Sequence, residues 1–107
     1  MARRTEEDFD TAVVTRTDRK VARPKMWKVL LHNDHYTTRE FVVAVLMGVF
    51  HKSETDAVQI MLHVHQKGLG VAGVYTHDVA QTKIDKVHRL ARDYEYPLKL
   101  SMEPEDD

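Results

Sequence analysis

The chain has 107 residues, 42% hydrophobic and 31% charged, which suits a single soluble domain with a modest core. Its net charge of -1 argues against an indiscriminate nucleic-acid binder and against a polybasic membrane anchor. With no cysteine it has no disulfide framework, iron–sulfur cluster, cysteine zinc site or thiol nucleophile, which fits a reducing cytoplasm.

Residues 1–25 hold seven Lys/Arg against five Asp/Glu, and residues 26–107 hold nine against twelve, so a +2 segment precedes a -3 segment. Phe9, Ala12, Val13, Val14 and Val21 are too few to bury a face, so residues 1–25 read as a flexible extension ahead of a core domain over 26–107. In extended form about 25 residues at ~3.3 Å each could reach roughly 80 Å, far enough to thread into a partner. Its opening residues, Met1 to Asp8, are charged and lack the apolar stretch of a signal peptide. No apolar run approaches membrane-spanning length. The expectation is a cytoplasmic protein with no membrane contact.

Met26 to His32 alternates, with Trp27, Val29 and Leu31 on one face and Met26, Lys28, Leu30 and His32 on the other, as in a strand. The strand stops at Asn33-Asp34, residues that favour turns. Thr37-x-x-Glu40 has capping-box spacing, and Phe41, Val42, Val45, Leu46, Val49 and Phe50 recur as on a helix over about 38–50. Ser53-x-x-Asp56 caps a second helix whose apolar face carries Ala57, Ile60, Met61 and Val64, and Gly68 stops it. Leu69 to Tyr75 reads as a strand whose glycines mark close packing or a bulge. Thr76 or Asp78 opens a third helix with Val79, Ala80, Ile84, Val87, Leu90, Ala91 and Tyr94 at helical spacing. Past Pro97, Leu98, Leu100 and Met102 alternate as a last strand. The fold class is α+β: a small β-α-α-β-α-β sandwich, with a three-stranded antiparallel sheet and three helices packed on one face.

Most chemical readings fail on spacing. His63 and His65 lie two apart on a helix and point to different faces, and no other cluster has metal-ligand spacing, so no metal or cofactor is expected. There is no G-x-S-x-G elbow. Gly68-x-Gly70-x-x-Gly73 has dinucleotide spacing but enters a strand where that motif would follow one. Lys83, Lys86, Arg89 and Arg92 fall at roughly helical spacing as a solvated face or a docking surface.

One constellation carries chemistry. His65 follows Met61 by a helical turn, so the two point the same way, and Val64 borders them. If the first two helices pair antiparallel, Asn33, Asp34, His35 and Thr37 face His65 across a mouth floored by Val42, Met61 and Val64. Such a rim of acceptors suits a primary ammonium attached beside a hydrophobic side chain.

These residues resemble the ClpS family, adaptors that deliver N-degron substrates to a Clp AAA+ protease. The resemblance rests on Asn33-Asp34-His35-Tyr36-Thr37-Thr38-Arg39-Glu40-Phe41-Val42, on Met61-Leu62-His63-Val64-His65-Gln66-Lys67-Gly68, on Gly73 to Lys83, and on Pro97-Leu98. It implies binding of a free α-amino group and a bulky first side chain (Leu, Phe, Tyr or Trp), without chemistry on the substrate. By family pattern Asn33 and His65 hold the ammonium, helped by Asp34 and His35 in the turn. Leu31, Thr37, Val42, Met61, Val64 and Leu98 line the side-chain pocket. Asp78 and Lys83 match positions that contact the N-terminal domain of a ClpA-type unfoldase, and the extension matches one implicated in substrate hand-over. A monomer is expected when free.

Three positions depart from the family pattern: His35 replaces an Asp, Thr38 a Pro, and Arg39 the Met that acts as gatekeeper at the pocket mouth. An imidazole at His35 accepts only when neutral, so affinity is expected to fall as pH drops. The charge of Arg39 disfavours a cationic second residue in the substrate. The alternative reading is a Clp-docking regulatory protein with an altered or lost amine pocket.

Overall fold

The computed structural model describes residues 23–106. The extension expected over 1–25 therefore lies outside the described residues except for its last three. Six elements follow in the order β1 (Met26–His32), α1 (Arg39–Gly48), α2 (Glu54–Lys67), β2 (Leu69–Thr76), α3 (His77–Asp93) and β3 (Leu100–Pro104). The expected β-α-α-β-α-β order and fold class hold.

β1 is the central strand, antiparallel to β2 on one side and to β3 on the other. Its inward face works as the alternation predicts, with Val29 and Leu31 fully buried. The glycine-bearing β2 does bulge: Val29 pairs with Gly73 but Leu30 pairs with Val71, leaving buried Ala72 as the extra residue. Close approach explains two of its glycines. A Cβ on Gly70 would lie 2.7 Å from Val64 Cγ2, and one on Gly73 would lie 2.5 Å from the Tyr75 hydroxyl oxygen.

The helices close over this sheet. α3 packs against all three strands through Ala80, Ile84, Val87 and Ala91, a stripe at helical spacing, while α2 packs on β2 and on α1. Leu46 of α1 reaches zero exposure in the same core. Gly68 ends α2 in the left-handed conformation at φ 87, and Ser53 caps its start by accepting from the Asp56 N–H.

Three sequence expectations need correction. The cap of α1 is Thr38, not Thr37: the Thr38 hydroxyl accepts from the Phe41 N–H at 3.1 Å, while the Thr37 hydroxyl is drawn to Asp34. Two adjacent threonines offer the same chemistry one residue apart, and the turn claims the first. The last strand begins at Leu100 and not at Leu98, because Pro97 brings no N–H to a ladder and His32 already ends β1. Lys83 is no solvated cation. Its ammonium donates to the Val49 carbonyl at 2.7 Å and lies over the Tyr75 ring, 5.1 Å from the centroid.

Candidate functional site

The site forms where β1 runs out. His32 is the last residue of β1 paired to β2, opposite Leu69. The next N–H, that of Asn33, donates to the Gly68 carbonyl at 3.0 Å, and the Gly68 N–H donates to the Val64 carbonyl at 2.7 Å. These two bonds tie the strand end to the last two turns of α2, which carry Met61, Val64 and His65. The antiparallel helix pairing inferred from the sequence follows.

Between Asn33 and α1 the chain folds on the Asp34 carboxylate. Asp34 Oδ2 accepts from the Thr37 hydroxyl at 2.6 Å and from the Tyr36 N–H at 3.2 Å. α1 then starts with Arg39 and Glu40 in its first turn, facing the end of α2. The start of α1 is braced from outside as well. The Thr38 hydroxyl donates to the Tyr96 hydroxyl at 3.4 Å, and Phe41 packs on the rings of Tyr94 and Tyr96.

A cavity of about 320 Å³ lies between these elements. Its apolar wall is Leu31, Val42, Met61, Val64 and Leu98, of which Leu31, Val64 and Leu98 are buried members of the core. Its polar rim includes Asn33, Asp34, His35, Thr37, Arg39 and His65. All eleven residues expected at this pocket line it. The sequence reading missed His32, Thr38 and Glu40, which line it too. Glu40 had been assigned to a capping box; with Thr38 as the cap, its position alone signals a rim residue. In the sequence His32 falls on the strand face opposite Val29 and Leu31, away from the pocket wall. Its pKa lies below the ordinary 6.5, chiefly because burial strips water from the charged ring and secondarily because Lys99 is near.

The rim is a set of acceptors with one cation among them. Arg39 Nη2 lies 3.1 Å from His65 Nε2. A guanidinium can only donate, so Nε2 is the accepting nitrogen and the ring proton sits on Nδ1. Among the described residues no group of three metal-ligating side chains converges.

Asp78 and Lys83 do not belong to this cavity. They line a separate shallow depression with Val79 and Thr82 on the first turns of α3. The register places the two sites apart: Met26 pairs with Thr76 at the start of α3, while His32 pairs with Leu69 at the pocket end. The seven residues of β1 separate them by about 20 Å at ~3.3 Å per residue.

Residues 22–101 match the model of a family described as ATP-dependent Clp protease adaptor protein ClpS. The chain belongs to the ClpS family. It is 64% identical over 101 residues to the ATP-dependent Clp protease adapter protein ClpS of Myxococcus xanthus, an alignment spanning 92% of this chain and 94% of that protein. It is 54% identical over 97 residues to that of Syntrophus aciditrophicus, spanning 91% of each. Among solved structures, Agrobacterium tumefaciens ClpS2 bound to L-phenylalaninamide superposes with a TM-score of 0.74 at 42% identity, covering 78% of this chain and all of that one. A ClpS-family chain is an adaptor of the Clp protease and not an enzyme. No helix among the described residues is long and apolar enough to cross a membrane.

Proposed function

We propose that this ClpS-family chain captures N-degron substrates and delivers them to a ClpA-type unfoldase. It would do so as a monomer, reading a free α-amino group together with a bulky Leu, Phe, Tyr or Trp at the substrate's N-terminus. One observation carries the proposal: an apolar wall of Leu31, Val42, Met61, Val64 and Leu98 shares one cavity with a rim of acceptors. An ammonium has three donors, and Asn33 Oδ1, the Asp34 carboxylate and a neutral imidazole of His65 or His35 are suited to take them. The L-phenylalaninamide seen in A. tumefaciens ClpS2, an amine beside an aromatic side chain, supports the same reading here.

Magnitudes suit a releasable grip. Burying an aromatic side chain of roughly 150–250 Å² is worth about 4–6 kcal/mol gross. Charge-assisted hydrogen bonds add about 1.5–3 kcal/mol each. Association costs then offset several kcal/mol, leaving affinity on the order of micromolar.

The depression at Asp78, Val79, Thr82 and Lys83 is the proposed contact with the N-terminal domain of the unfoldase. Its separation from the pocket along β1 would let substrate and unfoldase bind together. Met26, where the proposed extension would join the core, pairs with Thr76 at the start of α3, which suits a role in hand-over. Titration with L-phenylalaninamide tests the pocket by amide chemical shifts. Shifts at Asn33, Met61, Val64 and His65, with Asp78 and Lys83 unmoved, support it; no shifts at the pocket would contradict it.

A second reading has one specific observation in its favour, the Arg39 guanidinium on His65. If that contact is never released, the chain is a Clp-docking regulator with a closed amine pocket. It would then bind the unfoldase without binding any N-degron.

A further inference from the structure

Resting on the amine-pocket reading, we infer that Arg39 is a gate: it competes with the substrate ammonium for His65 and selects substrates with an acidic second residue. Arg39 opens α1, immediately after the cap residue Thr38, and its side chain crosses the pocket mouth to α2, where Nη2 donates to His65 Nε2 at 3.1 Å. Nε2 has a single lone pair, and the ring's other nitrogen carries the proton. An ammonium that donates to His65 needs that same lone pair. Guanidinium and ammonium cannot both hold it, and two cations against one imidazole repel each other. Substrate entry therefore releases Arg39.

The released guanidinium remains tethered at the mouth. With the first substrate side chain in the pocket, the second residue lies one step of ~3.3–3.6 Å further along the chain. The surface that continues from the mouth is a shallow depression shared by Arg39, Glu40, Val43, Met47 and Met61 between α1 and α2. A carboxylate at the second position offers the freed fork a paired acceptor, whereas Lys or Arg there adds a third cation. The carboxylates at the mouth point the opposite way. Glu40 and Asp34 line the same mouth, and residues 26–107 carry -3 overall, all of which favour a basic second residue. The imidazoles that line the cavity, His32, His35 and His65, offer no acid, and Lys99 lies near His32. Arg39 is the one Lys or Arg that lines the cavity, so an acidic preference that Arg39→Met abolishes comes from it.

The experiment measures dissociation constants for three peptides beginning Phe-Asp, Phe-Ala and Phe-Lys, with the full-length wild-type protein and with Arg39→Met, at a pH near 8 where imidazoles are neutral. Wild type is expected to prefer Phe-Asp over Phe-Lys by about fivefold. Arg39→Met is expected to bind Phe-Ala about three- to tenfold more tightly, with the Asp preference abolished or reversed. Equal wild-type affinities for the three peptides, or no tighter binding of Phe-Ala by Arg39→Met, would overturn the gate while leaving the amine pocket standing. Failure of both proteins to bind any of the peptides would overturn the pocket and the gate together.

Discussion

The Lys83 ammonium lies 2.7 Å from the Val49 carbonyl, so a side chain expected at a docking surface also closes the C-terminal end of α1. Val49 is the C-cap residue of α1, whose last turn contains no basic residue of its own. A cation there satisfies an orphan carbonyl and complements the helix dipole. Lys83→Met, which keeps the stem and loses the charge, is expected to cost about 1–2 kcal/mol in urea unfolding. Asp78→Ala should lower the melting temperature less, since its side chain is fully exposed and gives up only a surface contact with His77 and its place in the first turn of α3. Asp78→Ala is thus the cleaner probe of unfoldase binding, and we expect it to weaken a pull-down with the unfoldase N-terminal domain.

The adjacent threonines at the site should separate in their effects. Thr38→Ala removes the cap of α1 and is expected to cost about 1 kcal/mol of stability. Thr37→Val keeps that cap but releases Asp34 Oδ2, so its main effect should be weaker peptide binding. Unfolding curves beside binding isotherms of both variants check this; equal stability losses would place the cap elsewhere.

Gly70 lies in β2 but bears on the pocket. Its added Cβ would meet Val64 Cγ2 at 2.7 Å, and Val64 is a buried, β-branched residue of the pocket wall with little room to turn. Gly70→Ala is expected to cost about 1–3 kcal/mol and to weaken binding of a Phe-led peptide. An unchanged melting temperature would mean that α2 shifts freely over β2.

His32 gives the fold a pH dependence of known sign. Its folded pKa lies below the ordinary 6.5, because burial and Lys99 both oppose the charged ring. The unfolded chain therefore binds more protons in that range, and the contribution of His32 is fully present above about pH 6.5 and lost as pH falls through the lower folded value. His32 Nε2 also meets Ser101 Oγ at 2.7 Å, linking β1 to β3. Melting temperatures of wild type should drop below about pH 6.5 more steeply than those of His32→Gln, which keeps a polar side chain without the titration. Parallel curves would remove His32 from the account.

Binding should fall with pH for a separate reason. His65 and His35 accept from an ammonium only when neutral, and protonation turns both into donors that repel it. Affinity for a Phe-led peptide is expected to be weaker in acid than at neutral pH, and a flat profile would exclude both imidazoles as acceptors.

Much of the fold was legible because its signals are local. Alternation from Met26 to His32, the Ser53 cap and the Gly68 stop fix element boundaries within a few residues. The pocket followed from one non-local assumption, the pairing of the first two helices. What stayed hidden are contacts between side chains far apart in sequence. Nothing in the basic spacing of α3 says that Lys83 reaches back thirty-four residues to Val49, nor that Leu100 N–H finds His88 Nε2 at 3.0 Å. The Arg39–His65 contact is of the same kind: each residue was placed at the mouth, but their bond depends on a rotamer that only packing selects. The Thr37/Thr38 exchange is a different failure, a one-residue ambiguity that only the Asp34 turn resolves.

The central claim, recognition of a free α-amino group beside a bulky apolar side chain, is tested most directly by fluorescence anisotropy. The probes are a peptide beginning in Phe, its N-acetylated twin, and a peptide beginning in Arg. The account predicts binding of the free Phe peptide alone, with affinity on the order of micromolar. Equal binding of the acetylated twin, or binding of none of the three, would contradict it.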